Sequence, residues 1–181
     1  MNCDINRGLS GLACKDAVAG IRSIYIANWE EYDIVTVSGT ASGHVITDLG
    51  DLAVVYKYEV KNDGNSFVET IESNRNTGVT VFNQVLTAIL TKITKQKSVQ
   101  VKLLAWGRVI VFIEFNSGDF LTIGLENGCE VTGSSNVEGS MQGNNNYTLT
   151  FTGMERFPAF FLDDASVIAL KALVSTDVID A

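Results

Sequence analysis

The sequence is short of the residues from which most active sites are built. It has a single histidine, His44, which excludes metal sites with two histidines and the HExxH motif and disfavours a catalytic triad. No GxSxG elbow, P-loop or GxGxxG loop occurs. The adjacent carboxylates at 30–31 and 163–164 are typical of a solvated surface. We therefore expect a protein without enzymatic activity, metal or cofactor, in which His44 is structural or faces solvent.

Long apolar runs are missing as well. The longest strongly apolar runs, residues 109–113 and 160–162, are far short of the roughly 20 residues that cross a membrane. The first residues, MNCDINRG, lack the apolar core of a signal peptide. We expect a protein that stays in the cytoplasm or is assembled there, without a membrane partner.

Cysteines are few, and they do not form a metal-binding or redox motif. The three cysteines include no CxxC pair, and any single disulfide would leave one of them over. We predict that Cys3, Cys14 and Cys129 are buried free thiols. The alternative is that Cys3 and Cys14 are bridged or share a metal.

Charge is unevenly distributed along the chain. Thirteen basic and 21 acidic residues give a net charge of −8, which argues against direct binding to nucleic acid. Residues 73–113 contain no acidic residue and six basic ones, so this stretch carries +6 and the rest of the chain −14. The asymmetry reflects either one solvated face or surfaces through which copies of the chain attract one another head to tail. The six basic residues are Arg75, Lys92, Lys95, Lys97, Lys102 and Arg108.

Residues that form strands and turns are abundant. Sixteen glycines against one proline, many valines, isoleucines and threonines, and a hydrophobic fraction of 46% indicate a folded, β-rich protein whose length fits one domain. Alternation of apolar and polar residues predicts most of the strands. The predicted strands are residues 21–29, 34–38, 53–60, 66–72, 79–93, 108–115, 120–125, 129–133, 136–141 and 147–152.

Turn sequences predict which of these strands form hairpins. The loop KNDGN, with Asp63-Gly64 at its tip, predicts a hairpin between strands 53–60 and 66–72. The turn NSGD predicts a second hairpin between strands 108–115 and 120–125. In strand 53–60, Tyr56 and Tyr58 lie on the apolar side, which is typical of a core position.

Two segments favour helices. The lysine-rich stretch up to Trp106 is the best candidate, because Val99, Leu103 and Trp106 recur at the spacing of the apolar face of an amphipathic helix. A strand through residues 99–103 is the alternative. The acidic pair at 163–164 suits a helix start, so the tail forms a short helix or an arm.

Together these patterns predict a mainly β protein. We expect an antiparallel β-sandwich or a partly closed barrel with one flanking α-helix. The chain, residues 1–181, forms a single domain with residues 1–20 as an N-terminal arm and residues 164–181 as a C-terminal extension. No internal repeat or linker divides it.

An unusual amount of apolar surface surrounds the only proline. Phe157, Phe160 and Phe161 flank Pro158 at the end of the last predicted strand. These phenylalanines either close the bottom of the subunit's own sandwich or pack at a boundary between subunits.

The order of segments in the second half is distinctive. A strand VFNQVLTAILTKI is followed by a basic helix, the strand pair RVIVFIEFNSGDFLTIGLENG, a VTG step, a glycine-rich turn and NNYTLTFTGMERFPAFFL. The chain opens with CDINRG and CKDAVAGI, two cysteines ahead of an Ala-Gly-Ile turn. This order resembles the tail-tube-like virion proteins of tailed bacteriophages, particularly of phages that infect Bacteroidetes, over most of residues 1–162.

The resemblance implies a β subunit that assembles into hexameric rings, which stack into the phage tail tube. It implies a place in the virion tail, assembly in the host cytoplasm, and copies of the chain and other tail or neck proteins as partners. Double-stranded DNA would pass through the lumen without specific binding. Because phosphate contacts would hold the passing genome, we expect acidic residues on the lumen wall and the basic region 73–113 outward or towards a neighbour.

Specific residues follow from this interpretation. Phe157, Pro158, Phe160 and Phe161 are expected at a subunit boundary or beneath the N-terminal arm of a neighbour. Two turns are expected to contact the adjacent ring. They consist of Asn62, Asp63, Gly64 and Asn65, and of Asn74, Arg75 and Asn76.

Other functions remain open from sequence. A tail terminator, neck or collar protein of the same fold would form one ring and stop. A ligand-binding β-sandwich would use Trp29, Trp106 and the tyrosines as a platform for carbohydrate or another small ligand. An enzyme with an unrecognised site is the remaining alternative.

Overall fold

The computed structural model describes residues 18–30, 32–39, 43–61 and 63–179. Most of the predicted N-terminal arm lies outside these residues, as do Cys3, Cys14 and Asn62. The described part forms eleven strands and two helices. In chain order they are β1 (Ile21–Asn28), β2 (Val35–Gly39), β3 (Gly43–Asp48), β4 (Tyr56–Glu59), β5 (Ser66–Asn74), β6 (Val79–Thr91), α1 (Lys95–Trp106), β7 (Val109–Phe115), β8 (Phe120–Ile123), β9 (Glu130–Val137), β10 (Asn145–Glu155), β11 (Phe160–Leu162) and α2 (Asp164–Ala172).

Two sheets contain all of these strands. One has seven strands in the order β2-β3-β11-β8-β7-β1-β4, and the other has four in the order β5-β6-β10-β9. The pairs are antiparallel except that β11 runs parallel to β3. The prediction of a mainly β, mainly antiparallel fold is confirmed. Neither sheet closes into a barrel, and the described residues form two helices where one was expected.

The two sheets face each other across the main core. Tyr147, Leu149 and Phe151 of β10 point into it and are buried, as their alternation predicts. Ile24 and Ile113, partners in the register of β1 and β7, enter the same cluster from the seven-stranded sheet. Full burial of side chains of this size is worth about 1.5–3 kcal/mol each, so this layer stabilises the pairing of the sheets.

The other face of the seven-stranded sheet is covered too. Tyr25, Phe112 and Phe160 form a second cluster there with Leu49 and with Leu170 of α2. Strands β1 and β7 are therefore buried on both faces, which explains their nearly continuous apolar sequences. The molecule has three layers: the four-stranded sheet, the seven-stranded sheet, and an outer layer that contains α2.

Helix α2 begins where the acidic pair predicts. The Asp163 carboxylate caps it by accepting a hydrogen bond from the Ser166 backbone N–H at 2.7 Å. Hydrogen bonding to Ser166 lowers the pKa of Asp163. Because Leu170 is fully buried in the second cluster, the extension packs against the sheet and does not form an arm.

The prediction that the strands on either side of KNDGN form a hairpin is wrong. β4 pairs with β1 at the edge of the seven-stranded sheet, whereas β5 pairs with β6 in the other sheet. The chain crosses between sheets at this loop, and Ile89 holds the crossing. Its carbonyl accepts from the Lys61 N–H at 2.8 Å, and its N–H donates to the Asn65 side-chain oxygen at 2.8 Å. A turn sequence specifies a chain reversal but not the partner of the strand that follows.

The long strand predicted at residues 79–93 is confirmed as β6. It pairs with β5 on one side and β10 on the other. Its hairpin with β5 turns at residues 75–78, where Gly78 has a φ of 68° that favours glycine. Residues 71–80 of this hairpin, here called the β5–β6 ribbon, are exposed throughout, including Ile71 and Val79.

The predicted helix is confirmed as α1, but its apolar face points outward. Thr94 caps it, with Oγ1 accepting from the Lys97 N–H at 3.2 Å. The buried residue of α1 is Leu104. Val99, Leu103 and Trp106, the residues of the expected packed face, are 54%, 53% and 74% exposed.

Strand β9 contains most of the strand predicted at 129–133 and the first two residues of the one predicted at 136–141, and the prediction of a strand at 138–141 is wrong. Cys129, just before it, is a buried free thiol as predicted. Gly124, with a φ of 68°, makes room for it, since a Cβ there would lie 2.5 Å from the Cys129 Sγ. Burial raises the pKa of Cys129 to about 12, so this thiol is unreactive at neutral pH.

Candidate functional site

The residues predicted at a subunit boundary lie in different environments. Phe160 is buried in the second cluster, with its ring centre 5.2 Å from that of His44 and 6.4 Å from that of Phe157. Phe157 and Pro158 are half-buried. Phe161 alternates with Phe160 on β11 and is exposed. Phe160 therefore stabilises the fold of its own chain, and Phe161 is the most exposed phenylalanine of this set.

The two turns predicted to contact another ring also differ. Asp63 and Gly64 belong to the crossing between the sheets and lie beside the half-buried Asn65. Asn74, Arg75 and Asn76 form the tip of the β5–β6 ribbon. This second turn lies at the end of a projecting element and is the better placed of the two to reach another subunit.

The four-stranded sheet has one open face. Residues that alternate with the buried ones point away from the main core on all four strands and are exposed or half-buried. The strand register places Val68, Val85, Thr152 and Glu130 in one row across this face. We call this surface the open sheet face. Its residues are Ser66, Val68, Thr70, Glu72, Asn74, Val79, Val81, Asn83, Val85, Thr87, Ile89, Thr91, Glu130, Thr132, Ser134, Asn136, Asn146, Thr148, Thr150, Thr152 and Met154.

The chemistry of the open sheet face is largely neutral. Threonine, valine and other uncharged residues dominate it, Glu72 and Glu130 carry its charges, and its strands contribute no lysine or arginine to it. Sequence analysis did not single it out. The sequence feature that indicates this face is the run of threonines that alternates with Tyr147, Leu149 and Phe151 in β10.

A buried carboxylate lies where β1 pairs with β7. The Ser23 and Tyr25 hydroxyls donate hydrogen bonds to Glu114 Oε2, the latter at 2.9 Å. The cationic groups of Arg22 and Lys171 lie 3.9 and 3.7 Å from Oε1. Although burial disfavours the charged form, the hydrogen bonds from Ser23 and Tyr25 and the two cations lower the pKa of Glu114.

Glu114 has a structural role in this arrangement. Lys171 belongs to the last turn of α2, so the ion pair ties the C-terminal helix to the sheet. The ammonium group of Lys171 also lies 5.0 Å from the centre of the Phe120 ring. Sequence analysis missed this cluster. A single charged residue inside the apolar run VIVFIEF, in a strand buried on both faces, was the available signal.

A second buried carboxylate lies at one end of the main core. Glu155 accepts hydrogen bonds from the backbone N–H groups of Glu126 at 3.2 Å and Asn127 at 3.1 Å. Burial raises the pKa of Glu155, against the lowering effect of these two hydrogen bonds. The fully buried Gln84 accepts from the Gly124 N–H at 3.2 Å. Gln84, Glu126 and Glu155 line a cavity of about 10 Å³. This cavity has room for about one water molecule and is too small for a substrate.

Other features expected of an enzyme or a metal protein are not assembled. In the described segments, no group of three or more histidine, cysteine, aspartate or glutamate residues is placed to hold a metal ion. His44 is half-buried in β3, edge-on to the Phe160 ring. The helices of the described residues are too short or too polar to cross a membrane.

The aromatic residues of the predicted ligand platform do not line a single pocket. Trp29 is half-buried, and the Arg108 guanidinium lies 4.3 Å from its ring centre. Trp106 is exposed on α1. Tyr56 and Tyr58 line a cleft of about 160 Å³ beside α1. This volume is below the ~300 Å³ of typical small-ligand pockets.

The lysines of α1 and a group of carboxylates lie on opposite sides of the seven-stranded sheet. Helix α1 carries Lys95, Lys97 and Lys102 and flanks the side that faces the four-stranded sheet. On the other side, segments 29–55 and 163–179 supply seven described acidic residues and one basic residue, Lys171, which pairs with Glu114. We call this the acidic surface. Its acidic residues are Glu30, Asp33, Asp48, Asp51, Asp163, Asp164 and Asp177.

Comparison of the chain with protein-family models, with curated proteins and with solved structures found no match. The sequence pattern and the surfaces described above are therefore the basis for a function.

Proposed function

We propose that this protein is a structural subunit that assembles into hexameric rings, which stack into the tail tube of a bacteriophage virion. Copies of the chain and other tail or neck proteins are its partners, and double-stranded DNA passes through the tube. The order of segments in the sequence motivates this function, and a two-sheet β architecture is compatible with it.

The observation that carries the proposal is the open sheet face. A channel for DNA must not retain it, and each phosphate contact by lysine or arginine adds affinity. A broad, ordered sheet face with two glutamates and no basic side chain meets this requirement. In the proposed ring, the open sheet faces of the subunits line the lumen. Of the lysines of α1, Lys97 reaches the end of this face, where its ammonium donates to the Thr91 backbone carbonyl at 3.0 Å.

The β5–β6 ribbon supports assembly. A two-stranded ribbon is marginally stable alone, and Ile71 and Val79 expose apolar surface on this one. A neighbouring subunit that covers the ribbon would bury these side chains. The tip at Asn74, Arg75 and Asn76 then contacts the adjacent ring.

Negative-stain electron microscopy of the purified chain over a range of concentrations, with light scattering, tests this proposal. We expect hollow tubes or stacked rings with six-fold symmetry. Single rings that do not stack would favour a terminator or collar protein. A chain that stays monomeric at high concentration would contradict the proposal, and a glycan-binding screen would then test the ligand-binding alternative.

A lysine placed in the proposed lumen tests the role of the open sheet face separately. Thr150→Lys lies on that face, and the control change Ser117→Lys lies on the exposed turn between β7 and β8. We expect both variants to assemble, and tubes of Thr150→Lys to retain added double-stranded DNA more strongly at low salt. Equal retention by the two variants would show that the face does not line the channel.

A further inference from the structure

An apolar stripe of α1 faces solvent between positive charges. Val99, Leu103 and Trp106 are spaced along one side of the helix, and all three are more than half exposed. Lys95 and Lys102 lie on the same side, and the Lys102 ammonium is 4.2 Å from the centre of the Trp106 ring. We call these five residues the α1 stripe. Large aromatic residues with adjacent cations are typical of the anchors of protein interfaces.

A cleft lies directly beside the α1 stripe. Leu103 forms one wall of the cleft of about 160 Å³, and Tyr56 and Tyr58 of β4 form another. Tyr56 is exposed at its rim. The stripe therefore continues into a concave surface that could receive one apolar side chain of a partner.

The same chain carries a surface of complementary character. The acidic surface includes exposed apolar residues as well as carboxylates, among them Ile168 on α2 and Val178. Asp164 and Asp177 are exposed near Ile168 and Val178 in sequence. This surface offers the negative charge and the apolar side chains that the α1 stripe would bind.

One molecule cannot join these two surfaces, because the seven-stranded sheet separates them. We propose that the α1 stripe is the docking site for the acidic surface of a second copy of this chain. The contact is head to tail, so a growing oligomer has one free surface of each kind, at its two ends, and it grows until it closes into a ring. This inference depends on the proposed self-assembly and names the surfaces that carry out its lateral step.

Two variants, each defective in one surface, test the docking. Lys102→Ala with Trp106→Ala removes the α1 stripe, and Asp164→Lys with Ile168→Ala alters the acidic surface. Each should weaken self-association at least about 30-fold while the far-ultraviolet circular dichroism stays unchanged.

Mixing the two variants gives the decisive readout. Each still has one intact surface, so an equimolar mixture should form a 1:1 dimer that grows no further in sedimentation velocity. The dimer should weaken when salt is raised from about 0.05 to 0.5 M, because the paired charges are screened. Met141→Ala with Lys61→Ala, a matched change elsewhere on the exposed surface, should assemble like the unaltered chain.

The outcomes separate this inference from the proposed function. Tubes formed by either defective variant, or a mixture without dimers, would overturn the docking and leave the tube function standing. Oligomers that need both surfaces but never close or stack would support the docking and overturn the tube function. A monomeric unaltered chain that binds anionic phospholipid vesicles through Trp106 would overturn both.

Discussion

Glu114 and Glu155 are both buried carboxyl groups, but their surroundings act in opposite directions. Glu114 accepts two side-chain hydrogen bonds and faces two cations, which lower its pKa despite burial. Glu155 accepts two backbone hydrogen bonds and faces no described cation, so burial dominates and raises its pKa. Glu114 therefore stabilises the folded state when it is ionised, and Glu155 stabilises it when it is neutral.

The two carboxyl groups predict opposite pH dependences of stability. The carboxylate of Glu114 stabilises the fold above its unfolded pKa of about 4.3, and this contribution is lost as the pH falls through the folded pKa. Glu114→Gln should therefore cost about 1–3 kcal/mol of unfolding free energy at pH 7 and less at pH 3, measured by urea unfolding.

The neutral carboxyl group of Glu155 stabilises the fold. This contribution to the unfolding free energy is complete below about pH 4.3 and is lost as the pH rises through the folded pKa, so the cost of Glu155→Gln should shrink with rising pH. Parallel pH profiles for the two variants would contradict these assignments.

At the scale of single residues, alternation predicts burial well where one strand face meets a core. Tyr147, Leu149 and Phe151 are buried as expected. The same rule does not reveal Glu114, because β7 is buried on both faces and a charged residue there breaks no alternation. Its hydrogen-bond partners come from β1, far earlier in the chain, and sequence spacing cannot show such a contact.

At the scale of elements, α1 shows why periodicity identifies a helix more readily than its buried side. The spacing of Val99, Leu103 and Trp106 predicts a helix correctly. The side that packs is decided by the strands the helix lies against, and this places Leu104 inward. An apolar stripe at helical spacing can equally be a surface for another molecule.

The orientation of α1 predicts unequal effects of two truncations. Leu104→Ala should destabilise the chain by about 2–5 kcal/mol, because it leaves a cavity in the main core. Val99→Ala should change the unfolding free energy by no more than about 0.5 kcal/mol. Thermal and urea unfolding of the monomer measure both, and the reverse order of costs would mean that the helix packs through its other side.

The alternation of buried and exposed residues in β11 predicts different effects of truncating two neighbouring phenylalanines. Phe160→Ala should cost about 3–5 kcal/mol of stability, because Phe160 is buried in the second cluster. Phe161→Ala should leave stability within about 0.5 kcal/mol and weaken self-association, because its ring is exposed on the side of β11 opposite to Phe160. Unfolding curves with light scattering distinguish these effects, and unchanged assembly of Phe161→Ala would remove Phe161 from the boundary.

At the scale of the whole molecule, the β5–β6 ribbon has little support from the rest of the described fold. Its hydrogen bonds continue to the pair Asn74 and Val79, but no other described element covers either side. Stability is therefore expected to be uneven along β6, high near Leu86 and low near Val79.

Amide hydrogen exchange tests this unevenness. In the monomer, residues 71–80 should exchange faster than the sandwich part of β6, since few contacts oppose their opening. In assembled tubes, the same amides should become protected, whereas amides of β7, buried in every state, should not change. Equal exchange of the ribbon in monomer and tube would show that no neighbour covers it.

The overall architecture is only partly predictable from sequence. Composition and alternation give a mainly β chain and predict nine of the eleven described strands, but not β3 or β11. They do not give the assignment of strands to sheets, because KNDGN reads as a hairpin and is in fact a crossing. Such long-range pairings depend on which exposed edge and apolar face are available when the chain collapses.

The position of β11 affects when the chain can fold. This short strand, one of the last elements of the described chain, lies between β3 and β8 and joins the β2–β3 hairpin to the rest of its sheet. On the ribosome, the seven-stranded sheet must stay incomplete until residues 160–162 have emerged, and pairing over such distances is intrinsically slow. Chains interrupted before this point would lack a finished sheet and could not compete with complete subunits for a place in an assembly.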